Sequence, residues 1–328
     1  MNKQIKLGAV VAVACMTLIA GCSSSLSSNK SSSGTASASS NSNKTVSVVL
    51  KTLSSPYWQY VQAGAEAAGK KLGVKVNVVG PSAESQVMEQ VNMLRDQISQ
   101  SPNALVVSPS QPSTVGPVLS TAVKKNIPVL LIDTDAAFEG KSTFIGTDNT
   151  TAGTEAGKLL GSMLHKGDKV VLISGALGNT ATDARTKGAK DELIKEGMKI
   201  VAEQPADSDK SKAMTVMQNI LQKNSDIKGV FAANDDMALG ALRAIQAKNL
   251  NIKVIGTDGT EEAVKSILSG GLAGTIAQSP YNMGYQGVEN ALKVINGKKI
   301  SDRIDSGIDV ITKDNAQKQL DFLKSISK

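Results

Sequence analysis

The sequence predicts an α/β protein made of two doubly wound lobes, each built around a mainly parallel sheet. Short apolar runs alternate with helical patterns from Thr45 to the end of the 328-residue chain, which is typical of parallel sheets covered on both faces. The predicted strands are also too many for one comfortable sheet. A composition that is 41% hydrophobic supplies enough apolar residues for two packed cores.

The amino-terminal segment differs in composition from the rest of the chain. A short basic stretch, 1–6, precedes an apolar run, 7–20, that is too short for a comfortable membrane span. The run ends in Leu-Ile-Ala-Gly-Cys22, which resembles a bacterial lipobox cleaved just before the cysteine. This resemblance implies a signal peptide over 1–21 and a diacylglyceryl group on Cys22. An ordinary secretory leader with an incidental cysteine is the open alternative.

The segment 22–44 is almost entirely Ser, Asn, Ala and Thr, so we expect a flexible tether rather than a core-forming element. Cys15 lies in the leader, and the mature chain is therefore expected to carry no cysteine besides Cys22. This excludes disulfides, cysteine metal sites and a cysteine nucleophile from the folded part.

The first series of elements begins at Val46. Pro56 suits the first turn of the first helix, and apolar runs of strand length separate the helical patterns. The predicted strands are 46–50, 74–79, 104–107, 128–132 and 144–147, and the predicted helices are 57–72, 84–99 and 115–125.

The second series repeats this alternation and ends in a helix after a last short strand. Its predicted helices are 151–164, 182–196, 208–222, 237–247, 261–269, 281–295 and 315–326, and its predicted strands are 169–174, 199–203, 228–233, 253–257, 272–277 and 309–312. We assign 45–147 with 279–306 to an amino-terminal lobe and 148–278 with 307–328 to a carboxy-terminal lobe, so the chain crosses between the lobes three times.

Four predicted strands are each followed by one polar residue: Asp133, Asn234, Asp258 and Gln278. Ligands of open parallel sheets bind in the crevice outside the carboxyl ends of the strands. Amides and carboxylates can accept from or donate to hydroxyls, so this set suits a neutral polyhydroxyl ligand. The alternative is that these residues only cap the helices that follow. We assign the neighbouring Asp235 and Asp236 to that capping role.

Several separate motifs resemble the ribose-type periplasmic sugar-binding proteins, in the right order along the chain. They are NDDMALGALRA (234–244), GTDGT (256–260), TIAQSP (275–280) and QPADSD (204–209) followed by VMQN (216–219). The resemblance extends from Val46 to about Ile311. It implies two similar α/β lobes of periplasmic binding protein type I, joined by a three-segment hinge. It also implies a sugar clamped between the lobes and a closed form delivered to an ABC sugar importer.

Carried over by position, the resemblance implies direct ligand contacts from Asp133, Asn234, Asp258 and Gln278. Other contact positions depart from the family pattern, which is Asn-Pro-Phe-Phe after the first strand, Arg after the fourth-strand Asp, Arg-x-Arg-Gly, and a contact Phe. This chain has at those positions Ser55, Tyr57 and Trp58, then Thr134, then Arg185 and Lys187, and finally Ser208. An Arg fork gives bidentate hydrogen bonds that Lys or Thr cannot copy. We therefore expect the lobe architecture but not ribose itself as the ligand.

Four of these residues have an alternative to ligand contact. Tyr57 and the single Trp58 follow the first strand, and sugar C–H faces pack on aromatic rings; core packing by the first helix is the alternative. Lys187 is expected to donate to the ligand more than Arg185, with a solvated helix face as the alternative.

The net charge of +7 is spread along predicted helices, which argues against nucleic-acid binding. The single histidine, His165, allows no histidine-based triad, and no phosphate loop or Gly-x-Ser-x-Gly elbow occurs. We therefore expect a monomeric binding protein and not an enzyme, with no cofactor or metal, whose partners are the ligand, the importer subunits and the membrane. Three alternatives stay open: a receptor for a sensor or a furanosyl autoinducer, a cell-surface sugar hydrolase, and a sugar-responsive repressor, although the repressor's helix-turn-helix is absent from the sequence.

Overall fold

The computed structural model describes residues 41–326, so the predicted signal peptide and the lipidation of Cys22 lie outside the described residues. In chain order the elements are β1 (Thr45–Val49), α1 (Pro56–Leu72), β2 (Lys75–Val79), α2 (Val87–Ser99), β3 (Ala104–Val107), α3 (Pro112–Lys124), β4 (Val129–Ile132), β5 (Lys141–Gly146), α4 (Asn149–Gly161), β6 (Lys169–Ser174), α5 (Thr180–Lys195), β7 (Lys199–Pro205), α6 (Lys210–Lys223), β8 (Ile227–Ala232), α7 (Asp235–Gln246), β9 (Lys253–Asp258), α8 (Glu261–Leu268), β10 (Gly274–Ala277), α9 (Pro280–Ile295), β11 (Arg303–Asp305), β12 (Asp309–Ile311) and α10 (Ala316–Ile326). No helix within 41–326 is long and apolar enough to cross a membrane.

The first lobe is built around a six-stranded sheet in the order β11-β5-β4-β3-β1-β2, in which all pairs are parallel. Its strands are buried on both faces, so successive residues serve different cores. On β1, Val46 and Val48 pack with α1 and α9, while Val49 packs with α2 and α3. This explains why the strands are continuous apolar runs rather than alternating ones.

The second lobe repeats the plan with the order β12-β10-β9-β8-β6-β7. Only β12 runs antiparallel, against β10 at the edge of the sheet. The apolar side chains of this lobe form one large buried cluster that includes Phe231, Ile255 and Leu320. The predicted fold class, two α/β lobes with mainly parallel sheets, is confirmed.

The chain passes between the two sheets after β5, after β10 and after β11. The helix that follows the second passage, α9, returns to the first lobe, where it packs against α1. The two helices approach very closely because glycines face each other: a Cβ added at Gly64 would lie 1.9 Å from the carbonyl oxygen of Tyr281, and one at Gly284 would lie 1.9 Å from that of Val61. The close crossing fixes α1, which carries part of the site described below.

Several element bounds differ from the sequence prediction by up to three residues, including the starts of α2, α3 and β5, and one strand was not predicted. Helix α2 begins at Val87 rather than at residue 84, because the Gln86 side chain accepts from the Ser82 hydroxyl and the Ala83 amide and so stabilises a turn there. The three-residue strand β11 was not predicted, because one apolar residue, Ile304, between two charged ones makes no hydrophobic pattern. Asn41, inside the predicted tether, is buried and donates to the carbonyl of Leu72.

Candidate functional site

A narrow cavity lies between the lobes, where the carboxyl ends of the strands of both sheets face each other. It is lined from the first lobe by Lys51, Ser55, Tyr57, Trp58, Glu84 and Asp133, and from the second by Ala181, Thr182, Arg185, Ser208, Asn234 and Asp258. An outer cavity of about 920 Å³ shares Ser55, Glu84 and Ser208 with it and opens toward the surface.

Asp133, at the end of β4, receives several donors. Its Oδ1 accepts from the Tyr57 hydroxyl at 2.9 Å, and its Oδ2 accepts from the hydroxyls of Ser108 at 3.2 Å and Thr134 at 2.7 Å. The ammonium of Lys51 lies 2.8 Å from the same Oδ2. Burial by itself raises the pKa of the Asp133 carboxyl, but Lys51 and the more distant Arg185 lower it to about 2. The carboxylate is therefore charged at neutral pH.

Two aromatic rings of α1 lie beside this carboxylate. The rings of Tyr57 and Trp58 meet edge to face with centroids 5.0 Å apart, and the Lys51 ammonium lies 5.3 Å from the Trp58 ring centroid. The Trp58 Nε1 donates to a Glu84 oxygen at 2.7 Å. Burial, Asp133 and Asp258 raise the pKa of the Tyr57 hydroxyl, which therefore stays protonated and donates. The aromatic residues thus belong both to the first-lobe core and to the cavity.

The second lobe contributes Asp258, at the end of β9. Its Oδ1 accepts from the Gln278 amide at 2.7 Å and lies 3.5 Å from the Arg185 guanidinium. Arg185 is itself fixed by the side chain of Asn149 at 2.7 Å and by the carbonyl of Ala233 at 3.1 Å. Burial raises the pKa of the Asp258 carboxyl well above its ordinary value, although Arg185 opposes this shift. The two carboxylates of the cavity therefore differ in how readily they ionise.

Asn234 both caps a helix and lines the cavity. Its side-chain oxygen accepts from the Met237 amide at 2.9 Å, which makes it the N-cap of α7, and its amide nitrogen lies 3.4 Å from the Ser208 carbonyl. The expectation that Asp235 and Asp236 cap this helix was wrong, since both lie in its first turn. Asp235 instead binds Thr260 and Thr275.

Three cavity residues adopt a backbone conformation that favours glycine. The φ angles are 61° at Asp133, 57° at Ser208 and 138° at Asp258. Such conformations are costly and concentrate at functional sites. Here they turn the side chains at the strand ends toward the space between the lobes.

The cavity includes seven of the ten predicted contact residues: Ser55, Tyr57, Trp58, Asp133, Ser208, Asn234 and Asp258. Gln278 and Thr134 lie behind Asp258 and Asp133 respectively, each bound to the carboxylate that it orients. Lys187 is not brought to the cavity: its side chain is 76% exposed and pairs with Asp191 on the outer face of α5. The helical turn places Arg185 in the cavity instead. The structure therefore favours Arg185 over Lys187 as a ligand contact, which is the reverse of the expectation.

Sequence reasoning missed four lining residues, Lys51, Glu84, Ala181 and Thr182. Lys51 follows the first strand as Asp133 follows the fourth, so the rule that selected the other strand-end residues could have found it. Glu84 was assigned to a helix, whereas it lies in the loop before α2.

The lobes touch across the cleft around the cavity. The Asn179 amide, at the start of α5, donates to the Ser110 carbonyl at 3.0 Å, and the Thr180 hydroxyl donates to the Asp135 carbonyl at 3.2 Å. The Ser55 hydroxyl donates to Asp236 at 2.8 Å. These hydrogen bonds hold the two rims together on either side of the cavity.

Comparison with known proteins bears on what such a cavity binds. The family model described as a periplasmic binding protein domain matches residues 46–299. The ribose import binding protein RbsB of Haemophilus influenzae is 32% identical over 268 residues, which are 82% of this chain and 91% of that protein. The D-allose-binding periplasmic protein of Escherichia coli is 34% identical, over 74% of this chain and 82% of that protein.

Solved structures are similar over most of the chain. A carbohydrate transporter solute binding protein from Agrobacterium radiobacter, in complex with D-arabinose, has a TM-score of 0.81 and 34% identity, covering 85% of this chain and 98% of that one. An ABC transporter solute binding protein from Agrobacterium vitis with bound D-fucose has a TM-score of 0.81 and 32% identity, covering 84% and 97%.

Proposed function

Because this chain belongs to the family of periplasmic binding protein domains, we propose that it binds a monosaccharide-like ligand between its lobes and delivers it to an ABC importer outside the cytoplasm. Relatives and similar structures named for ribose, allose, arabinose and fucose support a sugar as the ligand. The ten ligand-contact residues are proposed from the sequence. For the two basic residues of α5, the described geometry supports Arg185 rather than Lys187 as the ligand contact.

One observation carries the proposal. Polar strand-end residues of two separate sheets converge on a single cavity that is also lined by the aromatic pair of Tyr57 and Trp58. The carboxylates accept from ligand hydroxyls, while Arg185, Lys51 and the amide of Asn234 donate to ligand oxygens. A ligand with many hydroxyls and C–H faces can use all of these groups together.

The proposal is tested by a thermal-shift screen of pentoses, hexoses, polyols and inositols, because a ligand that binds only the folded state raises apparent stability. Any hit is then followed by calorimetry, small-angle scattering and the emission of Trp58, the only tryptophan. We expect compaction on binding and a saturable change in emission, because Trp58 lines the cavity. Binding without compaction would count against a clamp, and the absence of any hit would count against a sugar.

We further propose that the protein catalyses no reaction of its ligand. The carboxyl groups of Asp133 and Asp258 differ in how readily they ionise, which resembles the acid and base pair of a glycosidase. This observation favours sugar hydrolysis as the rival activity. Against it, Asp133 already accepts from three hydroxyls and pairs with Lys51. Prolonged incubation with aryl glycosides should release no product; any release that depends on Asp258 would establish a hydrolase.

Attachment to the membrane through Cys22 is also proposed, from the lipobox-like sequence that precedes the folded part. A monomeric state is proposed as a separate expectation. Cys22→Ser should release the protein from membranes or leave it unprocessed, because the acylated residue supplies the membrane binding. A variant that is processed at the same position and stays bound to membranes would disprove the anchor. Sedimentation of the soluble part tests the monomer.

A further inference from the structure

Asp235 is a buried carboxylate that lies beside the ligand site and does not line the cavity. It follows Asn234 directly, in the first turn of α7, and its exposed fraction is 0%. The lysine beside this turn, Lys210, pairs with Asp236 and Glu262 instead. A buried charge is costly unless it is well paired or hydrogen-bonded, so the hydrogen bonds of Asp235 show what keeps it there.

These hydrogen bonds tie three segments of the second lobe together. The Oδ2 atom of Asp235 accepts from the backbone amide of Thr260 at 2.8 Å and from its hydroxyl at 3.0 Å. The Oδ1 atom accepts from the Thr275 hydroxyl at 2.6 Å, and that hydroxyl accepts in turn from the Gly259 amide at 3.4 Å. One side chain at the start of α7 therefore holds β10 and the turn that follows β9.

The turn after β9 is the one that presents Asp258 to the cavity. The φ angles are 138° at Asp258 and 74° at Gly259. A residue other than glycine keeps such a conformation only where its surroundings enforce it. The hydrogen bonds that start from Asp235 end on Gly259 and Thr260, the two residues that follow Asp258. The strained ligand contact is thus held by a group that does not itself line the cavity.

Stabilisation of α7 by itself does not explain this arrangement. A carboxylate in the first turn stabilises a helix through its dipole, and Asp236 supplies one in the same turn. The hydrogen bonds of Asp235 leave the helix and reach two other segments. On β9, Gly256 leaves the space that this side chain fills, since a Cβ added there would lie 2.3 Å from Asp235 Oδ1. The contacts of Asp235 therefore serve the end of β9 as much as α7.

We propose that Asp235 is a positioning residue of the ligand site, which holds the turn 258–260 through Thr260 and Thr275 and thereby keeps the Asp258 carboxylate directed into the cavity. This inference rests on the proposed function and adds a residue that sets affinity without touching the ligand. Because the effect passes through Asp258, it should disappear when the Asp258 carboxylate is absent.

The test uses two variants that break the link and two that preserve it. Asp235→Asn replaces one accepting oxygen with a donor, and Thr275→Val removes the hydroxyl between Asp235 and Gly259. Thr275→Ser keeps that hydroxyl. The matched control is Thr257→Val, because Thr257 precedes Asp258 and is equally buried, yet its hydroxyl has no hydrogen-bond partner within 41–326.

Each substitution is made in wild type and in Asp258→Ala. Calorimetry at neutral pH measures the affinity for D-allose, D-arabinose, D-fucose and myo-inositol, and urea unfolding shows that each variant is folded. In wild type, Asp235→Asn and Thr275→Val should each weaken the tightest-binding probe at least about fivefold, while Thr275→Ser and Thr257→Val should stay within about twofold. In Asp258→Ala all four should change affinity by less than about twofold, because the group that they position is gone.

The outcomes separate this inference from the function on which it rests. If a probe binds and compacts the protein, yet Asp235→Asn and Thr275→Val keep the wild-type affinity, the positioning role is overturned while sugar binding stands. Losses of equal size with and without the Asp258 carboxylate would overturn it as well, and so would an equal loss in Thr257→Val. Either Asp235→Asn or Thr275→Val decides the question if the other does not fold. If wild type binds none of the probes and does not compact, the proposed function fails and this inference with it.

Discussion

The hydroxyl of Ser55 in the first lobe donates to the carboxylate of Asp236 in the second, with 2.8 Å between the oxygens. The two residues lie at the mouth of the cavity, and Lys210 lies 3.5 Å from the same Asp236. The contact exists only when the lobes are together, so it stabilises the closed arrangement over an open one.

Ser55→Ala should therefore weaken ligand affinity about three- to tenfold, since a hydrogen bond to a charged group contributes roughly 1.5–3 kcal/mol and part of it is replaced by water. Calorimetry measures the loss, and small-angle scattering should show a less compact protein without ligand. Ser54→Ala is the matched control, because within 41–326 the hydroxyl of Ser54 pairs with that of Thr52 in its own lobe. Equal effects of the two substitutions would rule out a cross-cleft role.

The guanidinium of Arg185 should be required where the ammonium of Lys187 is not. Arg185→Lys is expected to weaken binding at least tenfold, because a lysine cannot reach Asn149, Ala233 and Asp258 together. Lys187→Arg should leave both affinity and ligand ranking unchanged, because this side chain is exposed. A change of ranking in the Lys187 variant would contradict the placement of α5.

Asp258→Ala should reduce affinity by about 1–3 kcal/mol, the scale for leaving a ligand hydroxyl unpaired in a closed cavity. Its folding stability should change less than its affinity, because burial already penalises the ionised form of this carboxyl. Calorimetry with the screened ligand and urea unfolding give the two quantities. Wild-type affinity in this variant would remove Asp258 from the site.

Asn234 needs a different substitution, because it also caps α7. Asn234→Ala should lose about 1 kcal/mol of stability along with affinity, whereas Asn234→Ser keeps a capping oxygen and loses only the amide. An affinity loss of at least fivefold in the serine variant, at unchanged stability, would report on the amide alone. Unchanged affinity there would restrict Asn234 to its capping role.

The stability of the protein should depend on pH through Asp235. Burial raises the pKa of its carboxyl from 3.8 to about 6, although hydrogen bonds from Thr275 and Thr260 oppose the shift. Between about pH 4 and pH 6 the folded state keeps a proton that the unfolded chain has lost. The free energy of unfolding should therefore fall as pH rises through this window, by on the order of 2–3 kcal/mol from this group, and level off above it.

Asp235→Asn should make the slope measurably smaller and leave the part that comes from Asp258, whose carboxyl pKa is also raised, whereas Asp191→Asn, on an exposed helix face, should leave the slope intact. Urea unfolding at pH 4.5 and pH 7 measures the slope. The opposite dependence, a loss of stability as pH falls below about 4, is expected from Asp133, whose carboxyl has a pKa of about 2. An Asp235→Asn variant with the wild-type slope would show that this carboxyl does not titrate in the window.

Gly64→Ala should destabilise the first lobe, because the added Cβ would lie 1.9 Å from the carbonyl oxygen of Tyr281, a backbone atom that cannot move aside. Overpacking of this kind usually costs about 1–3 kcal/mol and occasionally more. Glu66→Ala, two residues along on the exposed side of the same helix, should change stability by less than about 0.5 kcal/mol. Similar unfolding curves for the two variants would contradict the close crossing of α1 and α9.

Much of the fold could be predicted because it depends on local patterns. Buried parallel strands must be short apolar runs, and helices that cover them must have a 3.6-residue period, so strand 104–107 and the helix ending at Leu72 could be predicted with little error. The edge strand β11 could not, because a single apolar residue between Arg303 and Asp305 carries no such pattern. The start of α2 was missed for a related reason. A hydrogen bond to the Gln86 side chain, and not the hydrophobic periodicity, determines where the loop ends and the helix begins.

By itself, the sequence determined the two-lobe α/β fold and placed Asp133, Asn234 and Asp258 at strand ends, because chain direction alone brings the ends of parallel strands to one edge of a sheet. Only the tertiary structure decided which side chains of the helices and loops face that edge. It turned Arg185 inward and Lys187 outward, since two residues two positions apart on a helix point about 200° apart. It also brought Glu84, 26 residues further along the chain, to the indole of Trp58, a contact that no local pattern encodes.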